Sequence, residues 1–168
     1  MKTNTILLIL IPVILLTQMF SLSCNTSQNN SQSYPYEVSF SKAEKRIGTK
    51  IPKPDYLPGD FKLHKVILMN KDIVSLFYIS LSGEEIELKI TWRSEGIMPW
   101  KVDQDAPTVE IGDNLAQLFE NEDNNRIVWN WIPNKRENSF FIISLSYPKY
   151  LSISEIVKMA DSLKLENE

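Results

Sequence analysis

Apolar residues recur at every second position along several short segments of the chain, which is the pattern of β-strands that bury one face. The clearest segment, 85–92, places Ile86, Leu88, Ile90 and Trp92 on one face and charged or polar residues on the other. Clusters of turn-forming residues separate the segments. Seven strands are predicted in this way, at 61–69, 73–80, 85–92, 108–111, 115–121, 126–131 and 139–147.

Helical signals flank the predicted strands. Toward the N-terminus, Ser41 and Glu44 have the spacing of a capping box, and Gly48 supplies a stop, so a short helix is predicted there. Toward the C-terminus, Ser152 and Glu155 have the same capping-box spacing. Apolar residues then recur at helical spacing, at Ile153, Ile156, Val157, Ala160 and Leu163.

The connections between these elements predict how they are arranged. Most of them are too short to hold a crossover, so consecutive strands are expected to pair antiparallel. The sequence therefore predicts an α+β fold. Its core would be a single curved antiparallel sheet of about seven strands, with the short N-terminal helix and the C-terminal helix packed on one face.

One long connection, 93–107, interrupts this pattern. It contains Ile97, Met98 and Trp100, and these apolar residues have no period that would bury them. Two interpretations are open. The loop contacts a ligand, a partner protein or the membrane interface through these three residues, or it folds over an open end of the sheet and completes the core.

The first 24 residues have the organisation of a secretory signal peptide. Lys2 gives a positive start, an apolar run extends from Ile6 to Leu16, and small residues lead to Cys24. A retained transmembrane helix is the alternative, although it needs roughly 20 mostly apolar residues. The segment that follows Cys24, 25–33, contains no apolar residue and is typical of a flexible tether.

The end of this leader resembles the lipobox of bacterial lipoproteins, in which cleavage falls just before a cysteine that carries a diacylglycerol thioether. Ser23 fits the small residue before that cysteine, whereas Ser21 stands where the family usually has leucine. Ordinary signal peptidase would cut the same bond and leave a free thiol. We predict a signal peptide at 1–23, a tether at 24–38 that begins at lipidated Cys24, and a single domain at 39–168.

Composition excludes several classes of function. A formal net charge of −3 argues against nucleic acid as a partner, because phosphate binding needs a surplus of Lys and Arg on one face. With one His and one Cys, the chain cannot assemble a zinc or iron site from several such ligands. We therefore predict no cofactor, no metal site and no catalytic residue, and we interpret His64 as a surface strand residue.

Acidic residues cluster in two turns, at 82–87 and 121–125. A carboxylate pair for glycoside hydrolysis or a calcium site could use them. Neither cluster has a recognised ligand spacing, so we interpret both as solvated turns. The tryptophans on strands, Trp92, Trp129 and Trp131, are interpreted as core residues.

Two segments carry a family resemblance. The stretch PDYLPGDF, 54–61, resembles the opening of a bacterial domain family catalogued as of unknown function, and SISEIVKMADSL, 152–163, resembles its closing helix. Gly59 departs from the pattern because it follows Pro58 directly. The resemblance implies an extracytoplasmic domain of a lipoprotein or of an anti-sigma-factor-like membrane protein, and it brings no catalytic residues.

Together these patterns predict a membrane-anchored extracytoplasmic lipoprotein with a small binding or sensing domain. Its predicted partners are the membrane, through the N-terminal lipid, and an envelope protein or a small apolar ligand. Two other functions remain open at this point. One is a carboxylate-dependent hydrolase of cell-envelope polysaccharide, and the other is a carrier of lipid or lipoprotein with an apolar cavity between sheet and helices.

Overall fold

The computed structural model of the chain describes residues 34–93, 99–103, 105–132 and 140–165. The predicted signal peptide, Cys24 and most of the predicted tether lie outside the described residues, and so do Ile97 and Met98. Within the described ranges, no helix combines the length and the apolar character that a membrane span requires.

In these ranges the chain forms ten strands and two helices. In chain order they are β1 (Tyr36–Val38), α1 (Phe40–Ile47), β2 (Lys53–Pro54), β3 (Lys62–Leu68), β4 (Ile73–Ile79), β5 (Glu85–Arg93), β6 (Thr108–Ile111), β7 (Asn114–Glu120), β8 (Asn124–Trp131), β9 (Phe140–Pro148), α2 (Ile153–Asp161) and β10 (Leu163–Lys164).

Eight of the strands form one antiparallel sheet in the order β1-β3-β4-β5-β9-β8-β7-β6. The chain runs through β3, β4 and β5 as neighbours and crosses to the far edge. It then returns through β6, β7 and β8, so that β9 enters between β8 and β5. All seven predicted strands are present, and the predicted antiparallel pairing is confirmed.

The predicted strand count and the prediction of a single sheet are wrong. The eighth strand is β1, in which Tyr36 pairs with Leu68 at the edge of the main sheet. In addition, β2 and β10 form a separate two-stranded sheet. These three strands have only two or three residues each, which is too short for a period of two to be visible in the sequence.

The core lies between the helices and one face of the sheet, here called the inner face. Leu88 of β5 pairs with Leu145 of β9, Ile90 pairs with Ile143, and all four side chains are buried. Both helices add buried residues to the same cluster: Ala43 from α1, and Ile156, Met159 and Ala160 from α2. The predicted α+β class, with a predominantly antiparallel sheet and two helices, is confirmed.

Helix α1 begins earlier than predicted. Its N-cap is Ser39, whose hydroxyl oxygen accepts a hydrogen bond from the Lys42 N–H at 3.3 Å. The predicted N-cap, Ser41, lies inside the helix. Glu44 does not form a capping box, because its Oε1 accepts a hydrogen bond from the Ile51 N–H at 3.3 Å. The carboxylate of Glu44 therefore holds the segment that follows the helix.

The other predicted helix ends are confirmed. Gly48 ends α1 with φ of 81°, a left-handed conformation that glycine adopts without steric cost. Ser152 and Glu155 form the complete capping box at the start of α2. Two of the predicted apolar positions differ, however, because Leu163 belongs to β10 and Ile153 is 40% exposed. The buried residues of α2 are Ile156, Met159 and Ala160.

The two segments that carry the family resemblance meet in the small sheet. Pro54 of β2 pairs with Leu163 of β10. In the turn that follows β2, Gly59 has φ of 51° and the Phe61 N–H donates to the Pro58 carbonyl at 3.3 Å. The turn therefore forms with glycine directly after proline, where this sequence departs from the family pattern.

Candidate binding face

The sheet face opposite the helices, here called the outer face, combines aromatic, charged and small hydroxyl side chains. One row crosses five neighbouring strands in register: Phe119 of β7, Arg126 of β8, Ser146 of β9, Glu87 of β5 and Phe77 of β4. Adjacent strands lie about 4.8 Å apart, so the row is about 19 Å long. Both helices contribute their buried residues to the core on the other side of the sheet.

Trp100 is held on the outer face by the side chain of Asn130. The Trp100 N–H donates to Asn130 Oδ1 at 3.0 Å, and Asn130 Nδ2 donates to the Trp100 carbonyl at 2.7 Å. One amide side chain thus satisfies both backbone groups of Trp100, as a neighbouring strand would. Asp103 is attached in the same way to β7, because its N–H donates to Gln117 Oε1 at 3.2 Å.

These two hydrogen bonds between Asn130 and Trp100, here called the clamp, place Trp100 next to an aromatic ring and a cation. The ring centroids of Trp100 and Phe119 are 6.3 Å apart, and the guanidinium carbon of Arg126 lies 4.7 Å from the Phe119 ring centroid. We call these three residues the Trp100 cluster. Trp100 is partly exposed and does not belong to the buried core cluster, so its position differs from that of a residue that completes the core. Contact between Trp100 and a ligand stays a prediction.

The two acidic turns lie side by side in the folded chain. Glu84, Glu85 and Glu87, together with Asp123 of the other turn, line a cleft of about 340 Å³. The sequence pattern does not predict this proximity. It follows from the position of β9, which brings the start of β5 near the start of β8.

The glutamates of this cleft are engaged in pairs. Glu84 accepts from the Tyr150 hydroxyl at 2.6 Å, Glu85 lies 3.6 Å from Lys65 Nζ, and Glu87 lies 3.4 Å from Lys89 Nζ and accepts from Ser75 Oγ at 2.7 Å. The side chains of Glu85 and Glu87 are 44% and 24% exposed. A glycosidase acid needs a carboxyl group that burial keeps protonated, and these exposed, lysine-paired carboxylates do not favour that role.

The described ranges also contain no group of three His, Cys, Asp or Glu side chains arranged to hold a metal ion. His64 lies at a bulge in β3, where the register shifts between Leu63 and Lys65, and it is exposed. Its interpretation as a surface strand residue is confirmed.

The tryptophans on strands pack as predicted. Trp129 is fully buried on the inner face, and Trp92 and Trp131 are partly buried against the same core cluster. The indole Nε1 of Trp129 has no hydrogen-bond partner among the described residues. Tightly packed side chains fill the space between sheet and helices, among them Trp129, Ile143, Leu145 and Ile156 with none of their surface exposed. This filled interior does not favour a lipid carrier.

The sequence alone does not point to Asn130, Phe119 or Arg126 as site residues. Phe119 and Arg126 read as ordinary alternating residues of two predicted strands, and only their pairing in register brings them together. Asn130 carries a faint signal, because a lone amide between Trp129 and Trp131 falls on the face opposite to both. That signal does not say which backbone the amide binds.

One comparison with known families agrees with the two resemblance segments. The family model described as Domain of unknown function (DUF4367) matches residues 51–163. A solved structure from Bacteroides thetaiotaomicron is 14% identical, with a TM-score of 0.36, and the match covers 66% of this chain. The chain spans 44% of the length of that protein. None of the curated proteins matches the chain.

Proposed function

This chain belongs to the DUF4367 family of domains of unknown function, and we propose that it is a membrane-anchored extracytoplasmic lipoprotein that binds a ligand on its outer face. The observation that supports binding is the clamp between Asn130 and Trp100. It fixes the backbone of a residue with a partly exposed aromatic side chain before any ligand arrives, which lowers the ordering cost of binding.

The Trp100 cluster favours a particular ligand chemistry. The rings of Trp100 and Phe119 offer apolar area, and the exposed guanidinium of Arg126 offers a planar fork of donors for an anionic group. We propose a ligand that combines a flat apolar part with a negative group. This refines the small apolar ligand expected from the sequence, and an acidic, aromatic segment of an envelope protein has the same chemistry.

A fluorescent aromatic sulfonate, 1-anilinonaphthalene-8-sulfonate, is a suitable probe because it has this combination of groups. We expect saturable binding to the chain that Trp100→Ala and Arg126→Gln each weaken by about tenfold. Leu81→Ala is the matched control, since Leu81 is 88% exposed at a different turn. Equal binding by Trp100→Ala and the unsubstituted chain would remove the support for this face.

Anchoring through Cys24 rests on the sequence of the leader. Each acyl chain contributes about 0.8 kcal/mol per buried CH₂, and stable anchoring takes two such signals, which a diacylglycerol thioether provides. We expect Cys24→Ser to abolish lipid labelling and to move the chain from the membrane fraction to the medium or periplasm. Ser23→Ala keeps a small residue before the cysteine and should leave labelling unchanged. An unmodified Cys24 with the leader still attached would contradict the anchor while leaving the binding face untouched.

A further inference from the structure

A second cavity, of about 380 Å³, lies where the turn between β6 and β7 approaches the end of α2. Its lining includes Gly112 and Asp113 of the turn, Trp131 and Ile132 at the end of β8, and Ala160 and Asp161 of α2. It shares no described residue with the Trp100 cluster or the acidic cleft, so it is a separate feature of the domain.

Asp161 gives this cavity a negative charge that no described residue neutralises. It is the last residue of α2, it is exposed, and its carboxylate has no hydrogen bond or ion pair with any described residue. The C-terminal end of a helix already carries partial negative charge from its carbonyl groups. A carboxylate at this position is therefore unfavourable in isolation and becomes favourable when a cation lies beside it.

The turn between β6 and β7 brings a second carboxylate to the cavity. Asp113 lines the cavity from the turn between β6 and β7. The turn also approaches the helix end closely, because a Cβ atom on Gly112 would lie 3.7 Å from Asp161 Oδ1. Two carboxylates from separate elements thus border one cavity, and the carboxylate of Asp161 favours a positively charged occupant.

The remaining lining residues are apolar except for Asn114, whose side-chain amide donates to the Ile111 carbonyl. Trp131 is partly buried, and its ring is supported by Phe141, with ring centroids 5.7 Å apart. Next to it, Ile132 is 48% exposed, so its side chain can contact an occupant of the cavity. An indole attracts a cation and also packs against methylene groups, so these walls fit an aliphatic stem that ends in a positive charge.

We propose that this cavity binds an alkylammonium group, a protonated amine on a short aliphatic stem. Asp161 and the carbonyl end of α2 attract the ammonium group, and Trp131 and Ile132 contact the stem. A lysine side chain of a partner protein and a free small amine share this chemistry. The two sources are distinguished by the probes below.

The test follows the indole N–H signals of the full chain in a non-ionic detergent, labelled with ¹⁵N at tryptophan, with Trp131→Phe used to assign the signal of Trp131. We expect n-butylammonium to shift the Trp131 signal in a saturable way, and the neutral isostere n-butanol to shift it much less. The second probe is a blocked Gly-Lys-Gly peptide. Tighter binding of the peptide would indicate a protein side chain, and tighter binding of n-butylammonium a small amine.

Asp161→Asn should weaken n-butylammonium binding by about tenfold, and added salt should weaken it further. This variant should fold normally, because it removes a charge that the helix end disfavours. The matched control is Asp123→Asn, which removes the same charge from the turn between β7 and β8 and should leave binding unchanged. Equal shifts by n-butanol, equal losses in the two variants, or no saturable shift with either amine would overturn the proposal.

Discussion

Tyr56 and Ser162 are 106 residues apart in the chain and are joined by a hydrogen bond in which the Tyr56 N–H donates to Ser162 Oγ at 3.0 Å. The Ser162 hydroxyl donates in turn to the Met159 carbonyl at 2.7 Å, and the Ser162 carbonyl accepts from the Asp55 N–H at 3.2 Å. Lys158 Nζ lies 4.0 Å from the Tyr56 ring centroid. One serine after the end of α2 thus ties together the two segments that carry the family resemblance.

Ser162→Ala should destabilise the fold through this contact. The substitution leaves the partly buried Tyr56 N–H without its acceptor, and an unsatisfied donor of this kind costs about 1–3 kcal/mol. Urea denaturation would measure the change in the free energy of unfolding. Ser154→Ala, in the first turn of α2, is the control, because Ser154 is exposed and its hydroxyl pairs only with Ser152 among the described residues; its effect should stay below about 0.5 kcal/mol.

Ser39 and Ser41 are both possible N-caps of α1 by residue type, and the structure shows that Ser39 is the N-cap. Ser39→Ala should cost about 1 kcal/mol because it removes the N-cap acceptor of the Lys42 N–H. Ser41→Ala should be neutral or slightly stabilising, since Ser41 is exposed inside the helix and alanine has the higher helix propensity. Thermal or urea unfolding of the two variants would check the assignment. A larger loss for Ser41→Ala would show that the helix begins where the sequence predicts.

Asn130→Ala should release the segment that carries Trp100. The Trp100 N–H loses its acceptor and its carbonyl loses a donor, so the Trp100 amide should exchange its proton with solvent much faster. Hydrogen exchange followed by NMR would show this directly, with a loss of global stability of about 1 kcal/mol. Asn124→Ala, at an exposed position of the same strand, should leave the exchange rate of Trp100 unchanged. Unchanged exchange in Asn130→Ala would contradict the clamp.

We expect the phenol of Tyr150 to lose its proton at a higher pH than an ordinary tyrosine does. Desolvation of the hydroxyl group, followed by its hydrogen bond and charge repulsion with Glu84, raises the pKa of Tyr150 from 10.0 to about 12. Folding therefore favours the protonated phenol. This contribution to stability is fully present below pH 10 and is lost as the pH rises toward about 12.

A difference titration of the unsubstituted chain against Tyr150→Phe, read from phenolate absorbance, would isolate this group. The midpoint should lie well above the ordinary value of 10.0, and Glu84→Gln should lower it, because that variant removes the repelling charge. A midpoint near 10.0 in the folded chain would contradict the contact between Tyr150 and Glu84.

A feature of this fold can be predicted when the residues that cause it lie close together in the sequence. Alternating residues such as Ile86, Leu88 and Ile90 encode β5 locally, and the Ser152–Glu155 box encodes the start of α2, so both are predictable. Three strands, β1, β2 and β10, form by pairing with another strand. They have only two or three residues each, so the sequence shows no pattern that predicts them.

The candidate sites are less predictable than the fold because they depend on strand order. The acidic turns lie close together because β5 and β8 both pair with β9 and begin at the same end of it. The Trp100 cluster forms only when β7 and β8 pair in register. Trp100 itself stood out in the sequence as an apolar residue without a burial period. Asn130 did not, because a single amide has no pattern that points to a backbone 30 residues away.

The central position of β9 also determines when the main sheet can be completed. The meander β3–β5 and the meander β6–β8 are joined in this sheet only through β9, which begins at Phe140. A nascent chain can form the hairpins within each meander early, but the two meanders join only after β9 has emerged. Because β5 and β9 are far apart in the sequence, this last step closes a long loop, and such non-local pairing slows folding.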